Sequence, residues 1–506
     1  MLTESDTGDN TIFGSRKWMV MAVLLAVLIQ LAVATRSPVI APDGVVFIRL
    51  AKALNLTPLA AMRQADQHPG YPAMILAARW ILGPLINDKG VFSWIWGARV
   101  VSGIFGAASV VVIWLLAKCA FDNRVAGVSA ILFAALPLFR QNAADTLSDA
   151  PHLFFYLLSA WMGAEGFLRR NYLWFSGAGL ASGLAYWIRP EGLSVAIVLA
   201  MLLLFWRDPR VRMQRKTLLL SLCGLTFGAI VIAAPYMILS GKFTSKKDPL
   251  KLVAGGTEQK QDLLLLSLVK GASPIFREVV HGFCYVLLFP LCLGLFARGR
   301  RRGNHATSFL FGMLLIFHIL ILLGLYALSH YIADRHVFPI VAFALPWISS
   351  GTIYFANELR SLIPVHYRYA QLNYSDWVLG LVLFLLLAGM VPRSLRPLNR
   401  DHLSVMEAAQ WVGAHAGPGD AVLSNSPYVP FYADLPGGML DASDAAIAAM
   451  LPGASAYRFV ILESGSKNFR SDWIAQLSAR YRQVDLRWKH RGEQEVILLH
   501  LCQSAF

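Results

Sequence analysis

Long apolar runs are the feature that most constrains the fold of this 506-residue chain. Many of them approach the ~20 apolar residues that a helix needs to cross a bilayer. Such runs fold as helices because backbone polar groups have no water to bond within hydrocarbon. Only 15% of the residues are charged, well below the roughly 25% that is typical of soluble domains. The sequence therefore predicts a polytopic membrane protein with an all-α membrane domain.

The apolar runs predict about eleven transmembrane helices within a membrane domain at 17–392. Residues 1–16 precede the first run and form a predicted cytoplasmic tail. That first run is longer than the core of a usual signal peptide, so we interpret it as a retained anchor. The predicted helices lie at about 17–36, 93–117, 125–140, 149–167, 173–188, 191–206, 217–239, 281–297, 307–328, 337–356 and 377–392.

The distribution of basic residues predicts the orientation in the membrane. The net charge is +15, and the short loops at 207–216 and 298–302 hold five and four basic residues. Such loops stay in the cytoplasm, which puts the N-terminus inside and the C-terminus outside. The predicted location is the cell inner (plasma) membrane, in contact with membrane lipids. Because no RNA- or DNA-binding motif accompanies the charge, no nucleic-acid partner is expected.

Three long segments are predicted on the outer face. Residues 37–92 form a loop with short helices of its own, and residues 240–280 form a second loop rich in lysine. In the third segment, residues 393–506, strand-like apolar runs at 421–424, 457–462 and 495–499 alternate with helix-like runs at 404–415 and 471–481. This alternation predicts a small C-terminal α/β extracytoplasmic domain.

Asp43 lies just past the first predicted helix, between Pro42 and Gly44. Pro-Asp-Gly is a common turn signal, and aspartate is also a good helix cap, so a structural role is one interpretation. The other is a carboxylate of an active site on the outer face. The same loop contains a histidine-proline motif, His68 to Tyr71, which opens the next predicted helix.

A pair of acids, Asp145 and Asp149, is predicted at the outer mouth of the third and fourth helices. They are four residues apart and would share one face of a helix. Asp149 is equally suited to cap the fourth helix, and one acid can both cap and bind.

Two further motifs are predicted on the outer face. Arg189-Pro-Glu191 joins the fifth and sixth helices and is typical of a tight turn with a local ion pair. Arg335 and His336 stand at the start of the tenth helix. An arginine there is either an interfacial anchor or a phosphate ligand, since its guanidinium presents a planar fork of donors.

The order of these motifs resembles that of the polytopic GT-C glycosyltransferases, over about residues 15–395. The likeness is to the family 39-like bacterial relatives of protein O-mannosyltransferases and aminoarabinose transferases. It implies transfer of a sugar from a polyprenyl-phosphate carrier to a lipid, glycan or protein acceptor at the outer face. Neither a dinucleotide fingerprint nor a convincing Asp-x-Asp motif is present, which fits a lipid-linked donor.

The resemblance also implies roles for individual residues. Asp43 matches the first-loop catalytic acid, Asp149 the acid of the fourth helix, with Asp145 beside it, and Arg335 the basic residue near the carrier phosphate. As a general base, Asp43 would take the proton of an acceptor hydroxyl or amine in an inverting displacement, while Arg335 stabilises the leaving phosphate. Residues expected to bind the carrier phosphate or the acceptor are Arg335, His336, His68, Tyr71, Arg189 and Glu191.

The sequence departs from this pattern at two positions that bear on a cofactor. Gly44 follows the first acid where many members carry a second acid, and His336 stands where tyrosine is frequent. No cofactor is therefore certain. If a divalent cation such as Mg²⁺ or Mn²⁺ is used, Asp43 and Asp149 are its expected ligands.

Two other classes of function remain open. A lipid or glycan transporter predicts several ionisable groups at membrane depth, and the predicted helix interiors contain few, Arg99 and His318 among them. A non-catalytic envelope-assembly scaffold would use the tail domain to bind partners and the acids only as caps.

Overall fold

Helices make up most of the structure, a computed structural model, and one sheet lies in the C-terminal part. Contacts within the chain divide it into two compact units. Unit 1 contains Met1–Val33, Leu50–Met74 and Arg99–Arg396, and unit 2 contains Ala34–Arg49, Ile75–Ala98 and Pro397–Phe506. The residues described are 16–84, 90–206, 213–241, 243, 258–296, 305–362, 374–440, 457–464, 469, 473, 481–488 and 496–501.

The helices are numbered in chain order. They are α1 Arg16–Arg36, α2 Pro42–Leu56, α3 Pro58–Gln64, α4 Gly70–Leu82, α5 Val91–Ala120, α6 Asn123–Ala135, α7 Pro137–Ala144, α8 Asp149–Arg169, α9 Tyr172–Ile188, α10 Ser194–Phe205, α11 Arg215–Ser240, α12 Glu258–Gly282, α13 Leu288–Phe296, α14 His305–Ser329, α15 Phe338–Ser361, α16 Tyr374–Ser394, α17 Leu403–His415 and α18 Tyr428–Tyr432. Short 3-10 turns precede α10 (Pro190–Leu193), α15 (Asp334–Val337) and α17 (Arg400–His402).

Among the described residues, six helices are long and apolar enough to cross a membrane, or seven when the bent pair α6–α7 counts as one span. The sequence predicts about eleven spans, and the additional ones fall on shorter or more polar helices. The helix α9 has 17 residues and α10 has 12, while α8 carries Asp149 and His152 in its first turn. The six are α1, α5, α11, α14, α15 with its preceding turn, and α16.

The predicted helix at 281–297 is wrong as a continuous element. The helix α12 runs on to Gly282, a turn follows, and the short helix α13 begins at Leu288. Cys284 and Tyr285 have φ angles of 53° and 62°, in the left-handed region that side chains with a Cβ rarely adopt. Residues 283–296 are apolar on both sides of the break, so hydropathy gave no sign of it.

Unit 1 is held together by an apolar core and by hydrogen bonds between helices. The core includes Phe133, Phe139 and Tyr156, all fully buried. Ser129 on α6 bonds Ser349 on α15 at 2.9 Å. Such small polar pairs stabilise membrane bundles because the helices have no hydrophobic drive to associate within lipid.

Unit 2 contains a five-stranded sheet in the order β2-β1-β3-β5-β4. Strand β1 pairs in parallel with β2 and β3, whereas β5 pairs antiparallel with β3 and β4. Leu423, Val460 and Leu499 form its core with Trp473. The predicted strands are confirmed in β1, β3 and β5, and β2 and β4 were not predicted. The strands are β1 Val422–Ser424, β2 Gly437–Met439, β3 Phe459–Glu463, β4 Tyr481–Trp488 and β5 Val496–Leu501.

Candidate active site

Arg189 connects two carboxylates in unit 1. Its Nη1 lies 3.0 Å from Oδ1 of Asp149 and 3.4 Å from Oε1 of Glu191. Its Nε donates a 3.3 Å hydrogen bond to Oγ of Ser148. Asp149 opens α8, and its residue is only 3% exposed. A carboxylate this deeply buried is tolerated because a cation is paired with it.

The local ion pair predicted in Arg189-Pro-Glu191 is confirmed, and the longer-range pair with Asp149 is an addition that the spacing did not indicate. Proline at the first position of the 3-10 turn fixes the chain direction. Ser182 on α9 donates a 2.8 Å hydrogen bond to the carbonyl of Gly192 and holds the turn against α9. The turn therefore holds the side chains of Arg189 and Glu191 in fixed positions.

Glu191 keeps its negative charge in this turn, which lies outside the candidate spans. Burial acts to raise the pKa of Glu191. The positive charge of Arg189 acts in the opposite direction, and the pKa falls overall from 4.5 to about 2. The carboxyl groups of Asp149 and Glu191 thus share the one guanidinium of Arg189.

The loop that leads into Asp149 is bonded to two neighbouring helices. Ser102 on α5 donates a 3.1 Å hydrogen bond to the carbonyl of Leu147. Because this uses the single proton of Ser102, the hydroxyl of Tyr71 on α4 is the donor in their 2.8 Å contact. Burial raises the pKa of Tyr71, which keeps that proton in place. Tyr71 therefore orders the loop, and its predicted role in substrate binding stays a prediction.

Asp145 is buried at the C-terminal end of α7. Its Oδ1 accepts a 2.7 Å hydrogen bond from the backbone N–H of Thr146. This is a local turn contact. The predicted sharing of one helix face with Asp149 is wrong, because a helix ends before Asp145 and the next begins only at Asp149.

His68 is buried against aromatic rings of α9 and α11. Its Nδ1 lies 2.8 Å from the carbonyl oxygen of Tyr186 and must donate, since a carbonyl only accepts. The ring centroids of Tyr186 and Tyr236 are 5.2 and 5.1 Å from that of His68. The neutral imidazole thus has its proton on Nδ1 and a lone pair on Nε2.

Arg335 lies on the 3-10 turn that leads into α15, and three hydrogen bonds define this turn. Its own N–H bonds Oδ1 of Asp334 at 2.7 Å. The N–H of Ala333 donates to Nδ1 of His336 at 3.1 Å. His318, in the middle of α14, donates from Nε2 to the carbonyl of His336 at 3.0 Å. A side chain within the helix bundle therefore anchors the turn that presents Arg335.

Two buried histidines, His152 and His318, stand out beyond the predicted site residues. Each is 3% exposed. His152 lies within electrostatic range of Arg189, Glu191, His68 and His318. The sequence carried a signal for His152 that was not used, since it follows Asp149 by three residues and shares its helix face.

Asp43 lies in unit 2, in the first turn of α2. The segment before it is bonded to the C-terminal part of the chain. The backbone N–H of Ile40 donates a 3.0 Å hydrogen bond to Oη of Tyr432. Later in the helix, Arg49 donates to the carbonyl of Pro427 at 3.2 Å. The structure thus places Asp43 at the helix start that the local sequence predicts, on a segment fixed by the tail.

Two further hydrogen bonds connect the segment before Asp43 to the C-terminal part of the chain. The N–H of Leu398 donates to Oγ of Ser37 at 2.8 Å, and Asn399 donates to the carbonyl of Val39 at 3.3 Å. Four lysines of the predicted 240–280 loop lie outside the described residues, namely Lys242, Lys246, Lys247 and Lys251. Within the described ranges, no group of three or more His, Cys, Asp or Glu residues is arranged to hold a metal ion.

The chain is similar to known proteins in sequence and in fold. Residues 72–238 match the model of a family described as dolichyl-phosphate-mannose-protein mannosyltransferase. No curated protein sequence matches the chain. The crystal structure of ArnT from Cupriavidus metallidurans bound to undecaprenyl phosphate is similar, with a TM-score of 0.63 and 14% identity over 96% of this chain and 98% of that chain.

The archaeal oligosaccharyltransferase AglB from Archaeoglobus fulgidus, in complex with an inhibitory peptide and a dolichol-phosphate, is similar at a TM-score of 0.53 and 12% identity. That match covers 91% of this chain and 71% of the other. The Archaeoglobus fulgidus oligosaccharyltransferase in complex with Zn and sulfate matches at 0.54 and 12% identity, over 91% and 69%. The chain therefore has the GT-C fold, and the resemblance indicated by its motifs is confirmed.

Proposed function

We propose that this GT-C-fold chain is a membrane glycosyltransferase that moves a sugar from a polyprenyl-phosphate carrier to an acceptor hydroxyl or amine. The acceptor is a lipid, glycan or protein at the outer face of the inner (plasma) membrane. The observation that carries the proposal is the buried Asp149, held by Arg189 at 3.0 Å, in a fold shared with a protein solved with undecaprenyl phosphate. Buried charge clusters of this kind are typical of functional sites.

The reaction needs a base, a stabilised leaving group and an oriented acceptor. Asp43 takes the proton of the acceptor as the acceptor attacks the anomeric carbon of the sugar. The bond from that carbon to the carrier phosphate breaks on the opposite side, which inverts the anomeric centre. The guanidinium of Arg335 stabilises the negative charge that the phosphate gains. Support for this role is the hydrogen-bonded turn that presents Arg335.

Asp149 is the second acid to which we assign a role. Arg189 fixes one carboxylate oxygen of Asp149, and we assign Asp149 to orienting the polar groups of the substrates. Asp145 supports the same loop through its contact with Thr146. His68, Tyr71, Glu191 and His336 complete the proposed binding groups.

The residues fit a divalent cation poorly. The Arg189 guanidinium occupies Oδ1 of Asp149 with its own positive charge, and the described residues contain no cluster of three metal-ligand side chains. The proposed mechanism therefore uses no metal ion.

The N-terminus is proposed to be cytoplasmic and residues 393–506 extracytoplasmic, on the basis of the basic loops.

The proposal is tested by incubating the purified full-length protein with a panel of undecaprenyl-phosphate-linked hexoses and pentoses. Release of undecaprenyl phosphate is followed by mass spectrometry, in chelator and in added Mg²⁺, Mn²⁺ or Zn²⁺. We expect at least one donor to be consumed. If none is consumed under any metal condition, the enzyme interpretation fails, and the transporter and scaffold alternatives take its place.

A further inference from the structure

The helix bundle of unit 1 contains two buried imidazoles to which the mechanism assigns no part. His152 lies one turn after Asp149 on α8, and His318 lies in the middle of α14. Both residues are 3% exposed. Polar groups buried in an apolar bundle are unfavourable unless something bonds them. Their presence therefore calls for a partner.

The hydrogen-bonding state of His318 follows from its contact with His336. Its Nε2 faces the carbonyl of His336 at 3.0 Å and must donate. In the neutral ring, Nδ1 is then an acceptor. Within the ranges that the structure describes, Nδ1 of His318 and Nε2 of His152 have no hydrogen-bond partner. Buried groups left unsatisfied in this way need an explanation, and a bound ligand group is one such explanation.

The two histidines belong to one polar cluster. The ring of Tyr156 lies between them, with its centroid 5.4 Å from that of His152 and 6.1 Å from that of His318. Both histidines lie within electrostatic range of Arg189 and Glu191. The ring contacts thus join α8 and α14, and the charges of Arg189 and Glu191 act on both imidazoles.

The same cluster is linked to the turn that presents Arg335. The carbonyl bonded by His318 belongs to His336, the residue directly after Arg335. A phosphate bound to Arg335 would therefore lie on the turn that His318 anchors, and His318 is part of this polar cluster. Apart from its phosphate, the proposed donor consists of an apolar prenyl chain and a sugar, and only the sugar carries hydroxyl groups that match imidazole donors and acceptors.

We propose that His152 and His318 form a subsite that binds hydroxyl groups of the donor sugar. This inference rests on the proposed function and extends it to specificity. The carrier phosphate is bound elsewhere, by Arg335, so the two parts of the donor are recognised by separate groups. A site built to bond hydroxyls discriminates strongly against sugars that lack them, because its buried groups are then left unpaired.

The test compares binding of two probes to the purified full-length protein in nanodiscs, by native mass spectrometry. One probe is bare undecaprenyl phosphate, and the others are undecaprenyl-phosphate-linked hexoses and pentoses. The variants are His152→Leu and His318→Gln, the latter chosen because its amide nitrogen can still donate to the His336 carbonyl. We expect each variant to bind the best sugar-linked probe about tenfold more weakly than the wild type. This is the effect of losing a single hydrogen bond.

The affinity for bare undecaprenyl phosphate should stay within about twofold of the wild-type value in both variants. His152→Gln is the conservative partner and should recover most of the sugar-dependent affinity, because its amide reaches the position of Nε2. Equal weakening of both probes, or no weakening of either, overturns the subsite. If the wild type binds the bare carrier yet gains no affinity from any sugar, the subsite also fails while carrier binding stands. A wild type that binds neither probe refutes the proposed function itself.

Discussion

The guanidinium of Arg189 bonds Asp149 across forty residues of sequence, at 3.0 Å from Nη1 to Oδ1. The same Nη1 lies 3.4 Å from Glu191. One cation therefore balances two buried or half-buried anions and connects the start of α8 to the turn before α10. This relationship makes Arg189 the residue on which the geometry of the candidate site depends.

Replacing Arg189 should destabilise the protein strongly. Arg189→Met leaves Asp149 buried without its cation, and breaking a buried pair in this way costs about 3–5 kcal/mol. The free energy of unfolding in mixed micelles measures the effect. Arg189→Met combined with Asp149→Asn should recover much of the loss, because the uncompensated charge is then gone.

An ion pair whose arginine is exposed provides the matched control for that measurement. Arg169 bonds Glu165 at 2.6 Å, and its side chain is 60% exposed. Surface pairs contribute about 0–1 kcal/mol, so Arg169→Met should have little effect. Similar losses in Arg169→Met and Arg189→Met would contradict the importance assigned to the Asp149 pair.

Glu191 should give the stability a specific dependence on pH. Its pKa is lowered in the fold from 4.5 to about 2, so the ionised form stabilises the protein above pH 4.5. This contribution is lost as the pH falls from 4.5 towards 2. We expect the difference in thermal unfolding midpoint between wild type and Glu191→Gln to be constant above pH 5 and to shrink through this window. The exposed Glu358→Gln should leave the wild-type profile unchanged; a difference that instead grows on acidification would rule out this account of the pair.

The hydroxyl of Tyr432 should affect turnover through the Asp43 segment. Tyr432→Phe removes the acceptor of the buried Ile40 N–H, and an unsatisfied buried donor costs about 1–3 kcal/mol. The segment that carries Asp43 then loses part of its order. We expect kcat to fall by about fivefold, since about 1.4 kcal/mol corresponds to tenfold, with the donor KM nearly unchanged.

Steady-state transfer assays with the consumed donor measure both constants. The exposed Tyr172→Phe is the control and should match the wild type. An unchanged kcat in Tyr432→Phe would show that the tail does not position Asp43, whereas a raised KM alone would point to a role in binding.

Much of the fold followed from the sequence because apolar periodicity is local. The boundaries of α1, α5, α9 and α11 agree with the predicted helices within a few residues. The alternation in the tail likewise predicted β1, β3 and β5. Strands β2 and β4 were not predicted, since β2 is three residues long and rich in glycine and β4 carries alternating charges.

The candidate site was predictable only where its contacts are local in sequence. The pair of Arg189 with Glu191 lies within one turn, and the spacing indicated it. The bond from Arg189 to Asp149 and that from His318 to His336 depend on how helices pack, and no local pattern encodes them. Asp145 was expected to share a helix face with Asp149, and this failed because the chain turns between the two residues.

The central claim is that Asp43 acts as the general base of a sugar transfer from a polyprenyl phosphate. The most direct test is the rate of carrier release by Asp43→Asn, with Asp66→Asn as an exposed acid control from the same loop. Loss of a general base lowers the rate by about 10²–10⁴-fold, and we predict a loss in this range. The binding of undecaprenyl phosphate and the unfolding midpoint should match the wild type, as should every property of Asp66→Asn. An Asp43→Asn protein that releases carrier at the wild-type rate would contradict the account.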